Sequence, residues 1–339
     1  MKELIQKLVE TVGPSGHEGA VRDAIRGEIE GFVDEIRVDA MGNLIALKRA
    51  AATSSERPHS ERPLRLMLSA HMDEIGVIAT HIDEKGFVRF TSVGGVRAFN
   101  CIGGRVRFLN GARGLIYMDQ DDPHRTPALE NLYIDLGATS RADCPVKVGD
   151  QAIFERPFLD LGDRLVSKAM DDRVSCAVMV QAIKELKSTP LEVYFVFSTQ
   201  EEVGTRGATT AAYGVDPDLG LSVDVTGTGD MPRSGHMEVG LGKGSAIKVR
   251  DGGMLSDPRI VRWMVDTAEK AGLPYQLEVL EGGTTDARAI QLARAGVPVG
   301  CLSIPTRYIH SPSEMVDYGD VLNSVKLLVA LVSQPVTLV

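Results

Sequence analysis

Two signatures of metal ligation stand far apart in this chain, His71-Met72-Asp73 and the late His310. Two adjacent acidic pairs lie between them, Asp171-Asp172 and Glu201-Glu202, followed by Asp224. Imidazole nitrogens and carboxylate oxygens are ligands for divalent metals. Two such cations a few ångströms apart repel each other, so a site holding both needs several carboxylates, one of them shared as a bridge. The combination reads as a dinuclear metal hydrolase.

An isolated acidic pair is ordinary surface chemistry, and a lone histidine says little; placement is what raises these residues above that background. Apolar runs of strand length precede each of them: Leu64 to Ala70 before His71, Leu191 to Ser198 before Glu201, Leu219 to Val223 before Asp224, and Val297 to Ile304 before His310. Four strands therefore deliver polar residues at their carboxyl ends, the edge at which open α/β sheets bind ligands. Asp171 instead opens an apolar-periodic segment, Asp172 to Leu186, expected to be a helix whose N-terminus reaches the same edge.

The chain has 339 residues, 43% of them hydrophobic, with 37 basic against 46 acidic residues and a net charge of −9. That size suits one large or two modest domains. An acidic pI near 5.4 without a Lys/Arg run argues against nucleic acid or anionic membrane as a partner. No apolar stretch approaches the ~20 residues of a membrane span. Cys101, Cys144, Cys176 and Cys301 lack C-x-x-C spacing, and no leader-like segment opens the chain, so a cytoplasmic location is expected. Zinc-finger, P-loop and H-E-x-x-H patterns are missing.

Glu3 to Val12 and Glu18 to Gly31 read as amphipathic helices, the second opened by Ser15-Gly-His-Glu18 with capping-box spacing, which leaves His17 on the surface. Strand-like runs follow at Glu35 to Val38 and Asn43 to Leu47, then a polar exposed loop at Ala51 to Pro63 that carries His59. From about Ile75 to Asp163, short β-type runs alternate with Gly and Asn turns, the texture of a small β-barrel. Within it Met118 to Glu130 reads as an acidic loop carrying His124. After Leu165 helix and strand alternate to a final helix at Gly319 to Val332, so the fold class expected is α/β. It is a doubly wound, mostly parallel sheet flanked by helices, formed by 1–74 and 164–339, with a β-barrel inserted at 75–163.

Six motifs in order, Ala70-His-Met-Asp-Glu-Ile-Gly76, Lys168-Ala-Met-Asp-Asp-Arg173, Ser198 to Gly207, Asp224-Val-Thr226, Gly282-Gly-Thr-Thr-Asp286 and His310-Ser-Pro-Ser-Glu314, resemble a known family over nearly the whole chain. It is the family of dinuclear metalloaminopeptidases of clan MH that form tetrahedral (TET-type) particles. Glutamyl and deblocking aminopeptidases belong to it, and some members are labelled endoglucanase. The resemblance implies a zinc-peptidase-like sheet and two divalent ions per subunit, zinc first, with cobalt or manganese as alternatives. It implies that His71, Asp171 and Asp224 hold one ion and Asp171, Glu202 and His310 the other, with Asp171 as the bridge. A cis Asp171-Asp172 peptide is implied as well. Glu201 is then the general base toward a metal-bound hydroxide, and Asp73 accepts the distal N–H of His71.

The function so implied is a metalloaminopeptidase that cleaves N-terminal residues from short peptides with a free α-amine. Its β-barrel would build dimers that assemble into a tetrahedral dodecamer. A metal-dependent deacylase of N-acyl amino acids or peptides is the alternative, and a glycoside hydrolase a more distant one. Asp286 reads equally as a substrate-loop residue or a helix cap, Cys176 as a core thiol beside a Ser175 where relatives often carry Gly, and His81 and His236 as structural or surface residues.

Overall fold

The structure is a computed structural model and describes residues 1–51, 62–120 and 126–336. Most of the expected 51–63 loop, with His59, and the His124 segment of the acidic loop lie outside the described residues. The chain opens with α1 (Lys2–Glu10), α2 (Gly19–Ile29), β1 (Glu35–Val38), β2 (Leu44–Lys48) and β3 (Arg65–His71). Next come β4 (Gly76–Ile82), β5 (Val88–Val93), β6 (Arg105–Phe108), β7 (Arg113–Met118), β8 (Leu132–Asp135) and β9 (Gln151–Phe154). Then follow β10 (Leu159–Asp160), β11 (Arg164–Ser167), α3 (Met170–Glu185), β12 (Glu192–Ser198), α4 (Arg206–Val215), β13 (Leu219–Thr226) and β14 (Ser245–Arg250). The last elements are α5 (Pro258–Ala271), β15 (Tyr275–Val279), α6 (Asp286–Gln291), β16 (Val299–Arg307), β17 (Glu314–Asp317) and α7 (Tyr318–Val332).

Eleven strands form one sheet in the order β1-β2-β12-β3-β13-β16-β17-β11-β10, with β14 on β16 and β15 on β14. Its centre, β12-β3-β13-β16, is parallel, whereas β1, β2, β17, β11 and β10 join antiparallel at the flanks. The reason lies in burial. Every residue of β13 is buried, as are six of the seven in β3, because helices cover both faces and the strands become continuous apolar runs. Alternate residues then serve opposite layers: Leu66, Leu68, Phe195 and Leu302 pack toward α1, α3 and α7, while Met67, Val196 and Cys301 meet α4 and α6.

Local signals place the helices. In α1 the spacing of Ile5, Leu8 and Val9 makes one buried face. Helix α5 begins at Asp257, whose side chain accepts from Arg259 N at 2.8 Å, carries Pro258 in its first turn and ends on Gly272 in the left-handed region. The expected capping box at α2 does not form: Glu18 occupies the N-cap without a side-chain cap, and the Ser15 hydroxyl is drawn to Asp73, 2.6 Å away, because the 11–18 segment folds over the sheet edge.

Strands β4-β5-β8-β7-β6-β9 close into a six-stranded barrel filled by Val77, Phe90, Val106, Ile116 and Ile134 among others. It follows β3 by only the short Met72–Ile75 link, and after it the chain rejoins the sheet edge through β10 and β11 before α3. Arg173, fully buried, ties this junction together. Its guanidinium donates to the carbonyls of Met72, Leu8, Thr11 and Gly13 and pairs with the Glu74 carboxylate at 3.5 Å, so a buried charge is satisfied by backbone oxygens from two separate segments and by a buried counter-charge.

Candidate metal centre

The parallel register sets the site. Ser198 of β12 pairs with His71 of β3, and Asp224 lies near the carboxyl end of β13, so three strands bring their polar termini to one edge. Asp171 arrives differently from the helical expectation. Ala169 is left-handed, and Asp171 and Asp172 have non-helical backbone across a cis peptide, so the regular helix starts only after both acids have turned toward the edge. His310, also left-handed, comes from the turn between β16 and β17.

One donor atom each from His71, Asp171 and Asp224 lies within 4.8 Å of the others, and so do donors from Asp171, Glu202 and His310. His71 Nε2 is 3.0 Å from Asp171 Oδ1, while His310 Nε2 is 3.4 Å from Asp171 Oδ2 and 3.3 Å from Glu202 Oε2. Asp171 thus faces both imidazoles with different oxygens. Glu201 belongs to neither set; its Oε2 stands 4.0 Å from His71 Nε2.

Around these residues runs a ring of orienting contacts. His71 Nδ1 lies 3.1 Å from the Asp73 carbonyl and 3.4 Å from its carboxylate, and the Asp73 carboxylate also accepts from the backbone N–H groups of Glu201 and Glu202. Asp172 accepts from His71 N. Glu314 accepts from Asp171 N and His310 N, 2.9 Å each, and the barrel residue Asn100 donates to the His310 carbonyl at 3.2 Å. Glycines at 94 and 95 let the barrel approach: a β-carbon on Gly94 would stand 3.0 Å from Glu202 Oε2.

The donor set fits divalent cations. Burial pushes the carboxyls of Glu201 and Glu202 up and that of Asp224 up to about 8, because charged oxygens crowd a dry pocket around two imidazoles. For His310, burial works downward, but Asp171 and Glu202 outweigh it and raise the imidazole to about 11. Carboxyls and imidazole shifted upward together mark an excess of negative charge that bound cations would offset. Glu202 Oε1 and Asp172 Oδ1 are moreover buried without hydrogen-bond partners. Mixed imidazole and carboxylate donors suit zinc, cobalt or manganese.

The remaining residues singled out from the sequence fall elsewhere. His17, His81 and His236 are exposed and belong to neither donor set. Cys176 is buried, its thiol donating to the His71 carbonyl at 3.1 Å. Asp286 is neither the cap of α6, a role Thr285 fills, nor a loop residue: its buried carboxylate accepts from Ser69 at 2.6 Å and Ser198 at 2.5 Å, beneath the strand ends. Asn100, Gly94, Gly95 and the role of Glu314 escaped the sequence reading, because they act through contacts with no local pattern. The same holds for Lys248, a buried lysine held by Glu278 at 3.1 Å.

A cavity of about 320 Å³ opens onto the two donor sets, walled by Thr205, Leu280, Thr284 and Arg288. A larger cleft of about 730 Å³ beside Trp263 holds neither histidine nor an acidic pair, so chemistry rather than volume identifies the site.

Residues 50–327 match the family described as M42 glutamyl aminopeptidase. A relative from Acetivibrio thermocellus is 47% identical, with 97% of each chain covered. Aminopeptidase APDkam598 from the archaeon Desulfurococcus kamchatkensis has a similar structure, with a TM-score of 0.92 and 39% identity over 98% of this chain and 94% of that one. So does the Pyrococcus horikoshii TET1 peptidase, which can assemble into a tetrahedron or a large octahedral shell; its TM-score is 0.85 at 32% identity, with 98% of this chain and 99% of that one covered.

Proposed function

The chain belongs to the M42 glutamyl aminopeptidase family and is a peptide hydrolase, and from that premise we propose that it is a dinuclear metalloaminopeptidase acting on short peptides. The observation that carries the reading is the meeting of two donor sets on Asp171, with a fourth carboxylate, Glu201, held beside them and outside both.

In this reading His71, Asp171 and Asp224 hold one ion, and Asp171, Glu202 and His310 the other. The ions, when bound, lower the pKa of water toward ~7 and polarise the scissile carbonyl. Glu201 takes a proton from the attacking water as its oxygen bonds to the peptide carbon, and delivers it to the departing amine as the C–N bond breaks. Asp73 and Asp172 hold the backbone that carries Glu201, Glu202 and His71, which fixes the base relative to one ligand of each donor set.

We extend the assembly to this chain too: the unit 75–163 would form dimers that build a tetrahedral dodecamer. Its barrel exposes Phe99, Leu115, Tyr117 and Val148, apolar side chains that a partner surface would cover. Deleting Gly76 to Gly162 is expected to leave a particle no larger than a monomer in light scattering. Among the described residues no helix is long and apolar enough to cross a membrane; the proposed compartment is the cytoplasm.

The decisive experiment is amino-acid release from short peptides supplied with free or acetylated N-termini, using metal-loaded and chelated protein. Cleavage confined to free-amine peptides and abolished by chelation supports the aminopeptidase. Release of acetate from the acetylated set, with no amino acid released from free-amine peptides, identifies a deacylase instead.

A further inference from the structure

The segment that carries Glu201 and Glu202 lies between β12 and α4 and is neither helix nor strand, so its backbone groups need partners from elsewhere. Four consecutive N–H groups find them on buried side chains. Thr199 N donates to Asn43 Oδ1 at 2.9 Å and Gln200 N to Glu18 Oε1 at 3.0 Å, while Glu201 N and Glu202 N share the Asp73 carboxylate. The three acceptors come from the turn between β1 and β2, the start of α2 and the link after β3.

Asn43 differs from the other two because it grips both ends of the loop. Its Oδ1 accepts from Thr199, and its Nδ2 donates to the Gly207 carbonyl at 2.9 Å and to Asp39 at 2.7 Å. Gly207 N in turn donates to the Thr199 carbonyl at 3.0 Å, which closes the loop over the amide. The fit is tight: a β-carbon on Gly207 would stand 2.3 Å from Asn43 Oδ1. Asp39 also accepts from Asn43 N at 3.1 Å and so sets the direction of the amide. A carboxamide offers donors and an acceptor on one planar group, which aspartate of the same shape does not. The side chain is fully buried, does not line the cavity and belongs to neither donor set.

Resting on the aminopeptidase reading, we propose that Asn43 is a positioning residue for the reaction. Its amide seats the 199–207 loop, and through the loop it places Glu201 beside the donor sets and Glu202 within one of them. Base and ligand are thus set by a turn 156 positions away from the residue it holds.

Asn43→Ala, at saturating zinc, is expected to lose about 10–100-fold in kcat with KM changed by less than about threefold, since a displaced base is felt in the transition state. In a zinc titration one ion should bind about 10–100-fold more weakly while the other keeps its affinity. Hydrogen exchange of the zinc-loaded protein should speed about tenfold in the 199–207 backbone and stay unchanged in α3 and α7. Asn43→Asp keeps the shape and the Thr199 contact but turns an oxygen toward Gly207 and Asp39. It should show the same three losses, and adding Asp39→Asn should recover part of each; it carries the test if Asn43→Ala does not fold. Arg49→Ala, which removes an exposed ion pair with Glu35 at the open end of the same hairpin, should leave all three readouts unchanged. A kcat within about twofold of the unmodified protein overturns the proposal. So does exchange that speeds equally in α3 and α7, the mark of general loosening. If the unmodified protein binds two ions but releases no amino acid from any peptide, the aminopeptidase reading falls, and the titration and the exchange alone decide the role of Asn43.

Discussion

Gly95 of the barrel lies flat against the imidazole of His310, so close that a β-carbon at position 95 would overlap Nδ1 and Cε1 of the ring. The Asn100 amide, from the same side, holds the His310 carbonyl. One proposed ligand is therefore positioned by a part of the chain that contributes no ligand itself.

Gly95→Ala is expected to push the ring off its line to Asp171 and Glu202. Metal content should fall from about two ions per chain to about one, with turnover reduced about 10–100-fold, the usual effect of disturbing what orients a ligand. Elemental analysis of the purified variant checks this; two ions at unchanged affinity would show that His310 tolerates the displacement.

Glu201→Gln removes a proton acceptor while leaving both donor sets intact. Both ions should stay and turnover should drop about 10²–10⁴-fold. Wild-type turnover in that variant would exclude Glu201 as the base.

Asp73→Asn tests the scaffold beneath. Three donors converge on its carboxylate, the Ser15 hydroxyl and the N–H groups of Glu201 and Glu202. Replacing one oxygen by an amide turns an acceptor into a donor facing other donors, so turnover should fall about 10–100-fold. Ser15→Ala removes one partner and should cost about 1–3 kcal/mol in unfolding free energy with a smaller kinetic effect. A Ser15→Ala variant as impaired kinetically as Asp73→Asn would contradict this ordering.

Asp230 gives a pH-dependent prediction away from the metals. Arg307 donates to both of its oxygens, at 3.0 and 2.8 Å, and holds the carboxyl well below the usual carboxylate range. A depressed folded-state pKa stabilises above the unfolded value near ~4 and is lost as pH falls through the folded one. Asp230→Asn should cost about 1 kcal/mol at neutral pH, and the difference from the unmodified protein should shrink in acid. Thermal melts between neutral and strongly acidic pH would expose a constant gap, the result that defeats the assignment.

Stripping the ions should lower the melting temperature, since the crowded carboxylates lose their counter-charge, and restoring zinc or manganese should reverse it. At a free ion concentration a hundredfold above its Kd the gain is about 2.7 kcal/mol. An unchanged melt after chelation and dialysis would argue that the donor sets bind metal only weakly.

What the sequence made legible was the set of strands and what each carries. β1 is Glu35–Val38 as expected, and β3 and β12 begin within one residue of their apolar runs, because burial on both faces leaves those two strands an unmistakable composition. The antiparallel flanks were harder. β10 has two residues, both exposed, and β11 and β17 alternate too briefly to reveal their partners. The pattern Ser15 to Glu18 encodes a possible cap, but a buried carboxylate reached only in the folded chain competes for the same hydroxyl and wins. Glu314 reaches Asp171 across 143 positions and Asn100 reaches His310 across 210, distances over which composition carries no trace.

The placement of Gly94, Gly95 and Asn100 also bears on transplantation. A barrel borrowed from another protein could close its six strands and match the short link after His71, yet still fill the space against His310 and Glu202 with side chains. Such a hybrid would fold and be metal-poor. A functional graft has to carry the two glycines and the amide with it, so the natural cassette for exchange is the barrel together with its contact patch on the sheet.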